Sequence, residues 1–169
     1  MKYLICFFLT APLFAQTLVL ESGSGTYQVK HLIKKVQGES KELKGKMSCA
    51  EKECEFLVAA PTRSFVSSDS NRDSNMQMTV EAAKYPLVTA RGKFPKEDLA
   101  RNKFDLPLEV EFHGVKKLYQ AQVEQVKANQ YRVQFTLGLT AHQIERPSLF
   151  GVSIDDEVPM LFETSWGVD

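Results

Sequence analysis

KFDLPLEVEF, Lys103 to Phe112, carries Phe104, Leu106, Leu108, Val110 and Phe112 in alternation with Asp105, Pro107, Glu109 and Glu111. Side chains two apart on an extended chain point to the same face, so this pattern predicts an antiparallel strand with one apolar side and one wet side. His113-Gly114 reads as a turn, and KLYQAQVEQV (117–126) as the returning strand. KANQ (127–130) is a second turn, and in YRVQFTLGLTA (131–141) Tyr131, Val133, Phe135, Leu137 and Leu139 again share a face. Three long neighbours of this kind form a meander.

The same period extends outward in both directions. Tyr27, Val29, His31 and Ile33 share a face, preceded by ESGSGT (21–26) as the approach to that first strand. LKGKMSC (43–49) and CEFLVAA (54–60) supply a hairpin, and VPMLFETSW (158–166) a last strand. A strand of nine or more residues at about 3.3 Å per residue is about 30 Å long, more than a thin sandwich needs. The expected fold is therefore mostly β: a strongly curved, closed antiparallel barrel of lipocalin-like type, with one face turned inward. A two-sheet sandwich is the alternative.

One stretch departs from the strand pattern. In SNRDSNMQMTVEAAKYPLVT (70–89), Ser74 with Gln77 three residues later makes a capping-box pattern. Met76, Val80 and Ala83 recur at helical spacing, and Tyr85-Pro86 is a stop. A short helix over about residues 74–84 is expected. With so thin an apolar stripe it is marginal alone, and must pack on an end or a wall of the barrel.

The first fifteen residues, MKYLICFFLTAPLFA, run from Lys2 through an apolar stretch to the small Ala15, the layout of a cleaved secretory signal peptide. The apolar run of about a dozen residues falls short of the roughly 18–20 that span a bilayer. Gln16, not Cys, would follow the cut, so no lipid-anchored terminus is indicated. Residues 16–169 then form one domain. The whole chain has 21 basic and 21 acidic side chains, and removing Lys2 leaves 20 against 21 with the signs well mixed. No basic patch points to nucleic acid. Of three cysteines, Cys6 leaves with the signal, while Cys49 and Cys54 flank a polar hairpin loop that could bring them within disulfide distance. Two cysteines without a further Cys or His pair fall short of a four-ligand metal site.

Read in order, these segments resemble the YceI-like family, secreted bacterial proteins with a lipocalin-like barrel that bind polyisoprenoid lipids. The resemblance runs through YQVKHLIKKVQG (Val29, His31, Gly38), SFVSSDSNRDSNM (Arg72, Asp73, Met76), Tyr85-Pro86, HGVKK (113–117) and RPSLFG (146–151). It departs at Ala90, where the family usually carries an aromatic, and at ESGSGT before the first strand. What the resemblance implies is a periplasmic protein whose partner is an isoprenoid-type lipid or quinone, with no cofactor. Whether two copies pair as a homodimer is left open.

An isoprenoid tail offers only apolar surface, so its site needs an apolar tunnel and few polar anchors. The candidate lining is the inward face of the strands: Tyr27, Val29, His31, Ile33, Phe104, Leu106, Leu108, Val110, Phe112, Tyr131, Val133, Phe135 and Leu137, with Met76 from the helix and Trp166 at an end. His31 is the polar member, a structural histidine or a head-group anchor. Arg72 and Asp73 are expected to pair with each other or cap the helix. The same side chains would simply be core if the barrel were filled, which would leave an interaction protein that uses its outer surface; an enzyme acting on a lipid or quinone is the third reading. GxSxG, HExxH and glycine-rich phosphate loops are absent. His31, His113 and His142 fall on separate elements, and Ser148, His142 and Asp155 surround a turn with nothing in the sequence to fix a triad.

Overall fold

The computed structural model describes residues 16–31, 34–149 and 151–168. Its strands are β1 (Gln16–His31), β2 (Lys34–Ser40), β3 (Lys44–Cys49), β4 (Glu53–Pro61), β5 (Leu87–Pro95), β6 (Lys103–Phe112), β7 (Val115–Lys127), β8 (Gln130–Gly138), β9 (Ser148–Leu149), β10 (Val152–Ser153) and β11 (Glu157–Val168). One helix, α1 (Ser70–Thr79), lies between β4 and β5. The antiparallel order β11-β8-β7-β6-β5-β4-β3-β1 is closed by pairing of β1 with β11, giving an eight-stranded barrel. β9 and β10 form a small separate hairpin.

The alternation in the sequence builds this wall directly. Leu106, Leu108 and Val110 on β6, Ala121 and Val123 on β7, and Phe135 and Leu137 on β8 are buried inward. The intervening positions carry cross-strand ion pairs on the outer face: Arg91 with Glu109, Lys93 with Glu55, and Lys103 with Glu124. Such exposed pairs are worth about 0–1 kcal/mol each, so closure and inward burial carry the fold.

β1 is longer than expected, because ESGSGT lies inside it rather than before it. Its first residues pair with β3 and its last with β2, so β2 and β3 follow one another along a single edge, separated by residues 41–43. A bulge between Leu20 and Ser22 on the β11 side bends the strand where it changes partner, and small Ser and Gly residues tolerate that bend. β3 goes on to pair with β4, but the outer edge of β2 meets the next segment only through one bridge, Glu39 to Val66. The chain of residues 62–79, ending in α1, stands on that side of the barrel.

The helix begins earlier than residues 74–84. Asp69, not Ser74, is its N-cap, accepting from the backbone N–H groups of Asn71 (3.0 Å) and Arg72 (3.1 Å). Ser74 lies within the helix and donates back to the Ser70 carbonyl. The helix ends at Thr79, and Glu81 adopts φ 46° in the turn that follows, so Tyr85-Pro86 leads into β5 and is not the stop. Several Ser, Asp and Asn residues in succession all make acceptable caps, which is why the pattern placed the start too late. Arg72 pairs with Asp69, and the buried Asp73 accepts from the Ser67 N–H at 2.8 Å.

At the opposite end, Cys49 and Cys54 stand directly across from each other in the β3–β4 hairpin and form a disulfide.

Candidate functional site

The barrel interior is hollow at one end and nearly filled at the other. The upper cavity, of about 600 Å³, lies at the end where α1 stands. Its walls include Tyr27 and Val29 of β1, Val36 of β2, Met76 and Val80 at α1, Val88 of β5, Phe112 of β6, Leu137 of β8 and Met160 of β11. A lower void of about 80 Å³ is bounded by Phe104, Leu106, Leu108, Tyr131, Val133, Phe135, Phe162 and Trp166, among others. The two are successive levels of one interior. Side chains two apart on the same inward face divide between them: Val88 and Ala90 on β5, Leu137 and Phe135 on β8, Met160 and Phe162 on β11, upper member first.

The predicted site residues accordingly fall into groups. Tyr27, Val29, Met76, Phe112 and Leu137 line the upper cavity. Phe104, Leu106, Leu108, Tyr131, Val133, Phe135 and Trp166 surround the small lower void. Val110 lines neither; it lies between Leu108 and Phe112 on β6 and is 2% exposed. The backbone of His31 pairs with Lys34 at the end of β1, while its side chain and Ile33 lie outside the described residues.

Glycines opposite aromatic residues make room for the rings. Gly38 of β2 faces Tyr27 in register, and a Cβ there would collide with the Tyr27 ring. Gly25 of β1 faces Phe162, whose ring would stand 2.5 Å from a Cβ. Each ring occupies the space over a position without a side chain. Burial, with the Asp73 charge adding to it and Arg72 opposing, raises the Tyr27 pKa, so its phenol stays neutral.

Three polar side chains at the upper cavity are already engaged. Thr62 donates to the Tyr85 carbonyl at 2.8 Å, Thr79 to the Asn75 carbonyl at 2.9 Å, and Arg72 pairs with Asp69 at 3.5 Å. All three belong to α1 or the segment leading to it. The strand walls facing them are apolar, an arrangement suited to a greasy chain with its polar end toward the helix.

Two histidines fasten this end. His142 has no exposed surface; its Nδ1–H donates to the carbonyls of Phe112 (3.1 Å) and Val115 (3.0 Å), and its Nε2 accepts from the Tyr119 hydroxyl (2.9 Å). Burial lowers its pKa, and with both nitrogens occupied it is not a free base for Ser148. His113, in the β6–β7 turn, places Nδ1 3.0 Å from the His142 carbonyl and Nε2 3.0 Å from the Glu81 carboxylate, linking the turn after α1 to the barrel. Among the described residues there is no cluster of three or more His, Cys, Asp or Glu able to hold a metal ion.

Sequence reasoning missed several walls of the upper cavity. Val158 and Met160, with Phe162 of the lower void next to them, alternate within VPMLFETSW and were readable by the same period that revealed the meander. Leu139 continues the face already read along β8, whereas Phe65 and Ile144 come from irregular segments, where no periodicity announces an inward direction.

No family model and no curated protein matches the sequence. Solved structures do match over nearly the whole chain. A polyisoprenoid binding domain from Saccharophagus degradans, implicated in plant cell wall breakdown, superposes with a TM-score of 0.74 at 16% identity, covering 91% of this chain and 99% of its own. A mutant CJ YCEI protein gives 0.54 at 16% identity over 100% and 99%. The fold is that of the YceI-like proteins. BcnA of Burkholderia cenocepacia shares it as well, with a TM-score of 0.64 at 13% identity over 86% of this chain and 96% of that one. The YceI-like resemblance seen in the sequence motifs thus holds at the level of the fold.

Proposed function

We propose that this protein binds and carries one isoprenoid-type lipid, or a quinone with such a tail, inside its barrel without altering it chemically. The observation that carries this reading is the upper cavity of about 600 Å³, within the range of about 300–1,000 Å³ common for small-molecule sites and walled by apolar strands. Burial contributes about 0.8 kcal/mol per methylene-sized group, so a few isoprene units outweigh the cost of ordering the tail. The YceI-like fold, shared with a domain named for polyisoprenoid binding, supports the same class of guest. The neutral, occupied His142 supports a site that holds its ligand without acid–base chemistry. The leader at residues 1–15 supports export, with residues 16–169 as the single mature domain working in the periplasm.

Calorimetric titration of the purified protein with geranylgeraniol tests the proposal. Saturable binding of one molecule per chain, with a negative heat-capacity change from apolar burial, is the expected result. Heats that never saturate would refute it.

A further inference from the structure

The interior is divided into two levels by a layer of side chains. Phe135 and Phe162 stack with centroids 6.0 Å apart and planes 3° apart, and Tyr119 lies 5.5 Å from Phe135. Phe162 rests over Gly25, so the layer runs across β1, β11, β8 and β7, four consecutive strands of the eight. On β6, Val110 is buried between Leu108 below and Phe112 above and opens into neither space. Above this layer lies the cavity of about 600 Å³, and below it only about 80 Å³.

We infer that Phe162 and Phe135 form a floor that makes this protein selective for short isoprenoid tails. This rests on the carrier reading of the same cavity. A tail entering from the helix end meets the stacked rings halfway down the barrel, and additional isoprene units must stay outside in water. They therefore add no burial and no affinity. Phe162 is the stronger determinant, because its ring is held between Gly25 and Phe135. Removing it would join the lower void to the cavity.

The test is a ladder of all-trans prenyl alcohols, geraniol, farnesol, geranylgeraniol and solanesol, titrated into wild type, Phe162→Ala and the milder Phe162→Leu. Circular dichroism would establish that each variant is folded, and Phe162→Leu serves if Phe162→Ala is not. Wild-type affinity should rise along the short members and gain nothing from geranylgeraniol to solanesol. The variants should bind solanesol better than geranylgeraniol by about tenfold, the gain from burying about two further methylene groups. Wild-type affinity that keeps climbing to solanesol, or a folded variant with an unchanged ladder, would overturn the floor while leaving lipid binding intact. Failure of every alcohol to bind wild type would instead overturn the carrier reading, and the floor with it.

Discussion

The Tyr119 hydroxyl donates to Nε2 of His142 across 2.9 Å, and the same imidazole spends its Nδ1 proton on the carbonyls of Phe112 and Val115. This buried arrangement pins the 140–142 turn to the end of β6 and the start of β7, beside the upper cavity. It requires a neutral ring, and burial holds the His142 pKa below its ordinary value. Between the folded pKa and the unfolded value near 6.5, the unfolded chain binds more protons than the folded one. Stability should therefore be fully present above about pH 6.5 and decline as pH falls below it. Urea midpoints measured from pH 8 down to 5 would show the slope, and His142→Gln should remove the part owed to this ring. An identical slope in that variant would contradict the assignment.

Tyr119→Phe keeps the ring's packing but leaves Nε2 without its donor. The expected cost is about 1–2 kcal/mol of unfolding free energy at neutral pH, read from the same urea curves. A variant as stable as wild type would mean that the hydrogen bond contributes nothing net.

Asp69 holds the first turn of α1, so Asp69→Ala should cost about 1 kcal/mol of stability. Because α1 forms one wall of the upper cavity, prenyl-alcohol affinity should fall as well. Lost stability with unchanged affinity would separate the helix from the site.

The disulfide closes a short hairpin loop at the end away from α1. Reducing it should lower stability by about 2 kcal/mol through chain entropy, with prenyl-alcohol affinity retained by the folded fraction. Denaturation with and without reductant, followed by titration, gives both numbers.

Met160→Gln replaces a cavity wall by a side chain of similar length whose amide finds no partner among the strands. Affinity for geranylgeraniol should fall by about tenfold or more, the cost of desolvating an unpaired polar group. Leu57→Gln on the outer wall, where Leu57 is 52% exposed, should leave it unchanged. Equal effects from the two would place the ligand elsewhere.

The barrel was readable because alternation on β6 and β8 maps onto inward and outward faces. The cavity was only partly readable, since period two gives the direction of a side chain but not its depth. Leu108 and Phe112 point the same way, yet one borders the filled end and the other the hollow one. ESGSGT looked like an approach to a strand because glycine disfavours strands; its glycines serve instead where β1 bends and where Phe162 lies over Gly25. His142 gave no signal because its partners are backbone carbonyls of distant residues and a tyrosine 23 positions away.

The most direct test is native mass spectrometry of the protein expressed in a bacterium from residues 1–169 and purified without detergent. The account predicts a mass exceeding the polypeptide by one isoprenoid lipid per chain, released on organic extraction. A protein that emerges empty and takes up no prenyl lipid when offered it would contradict the account.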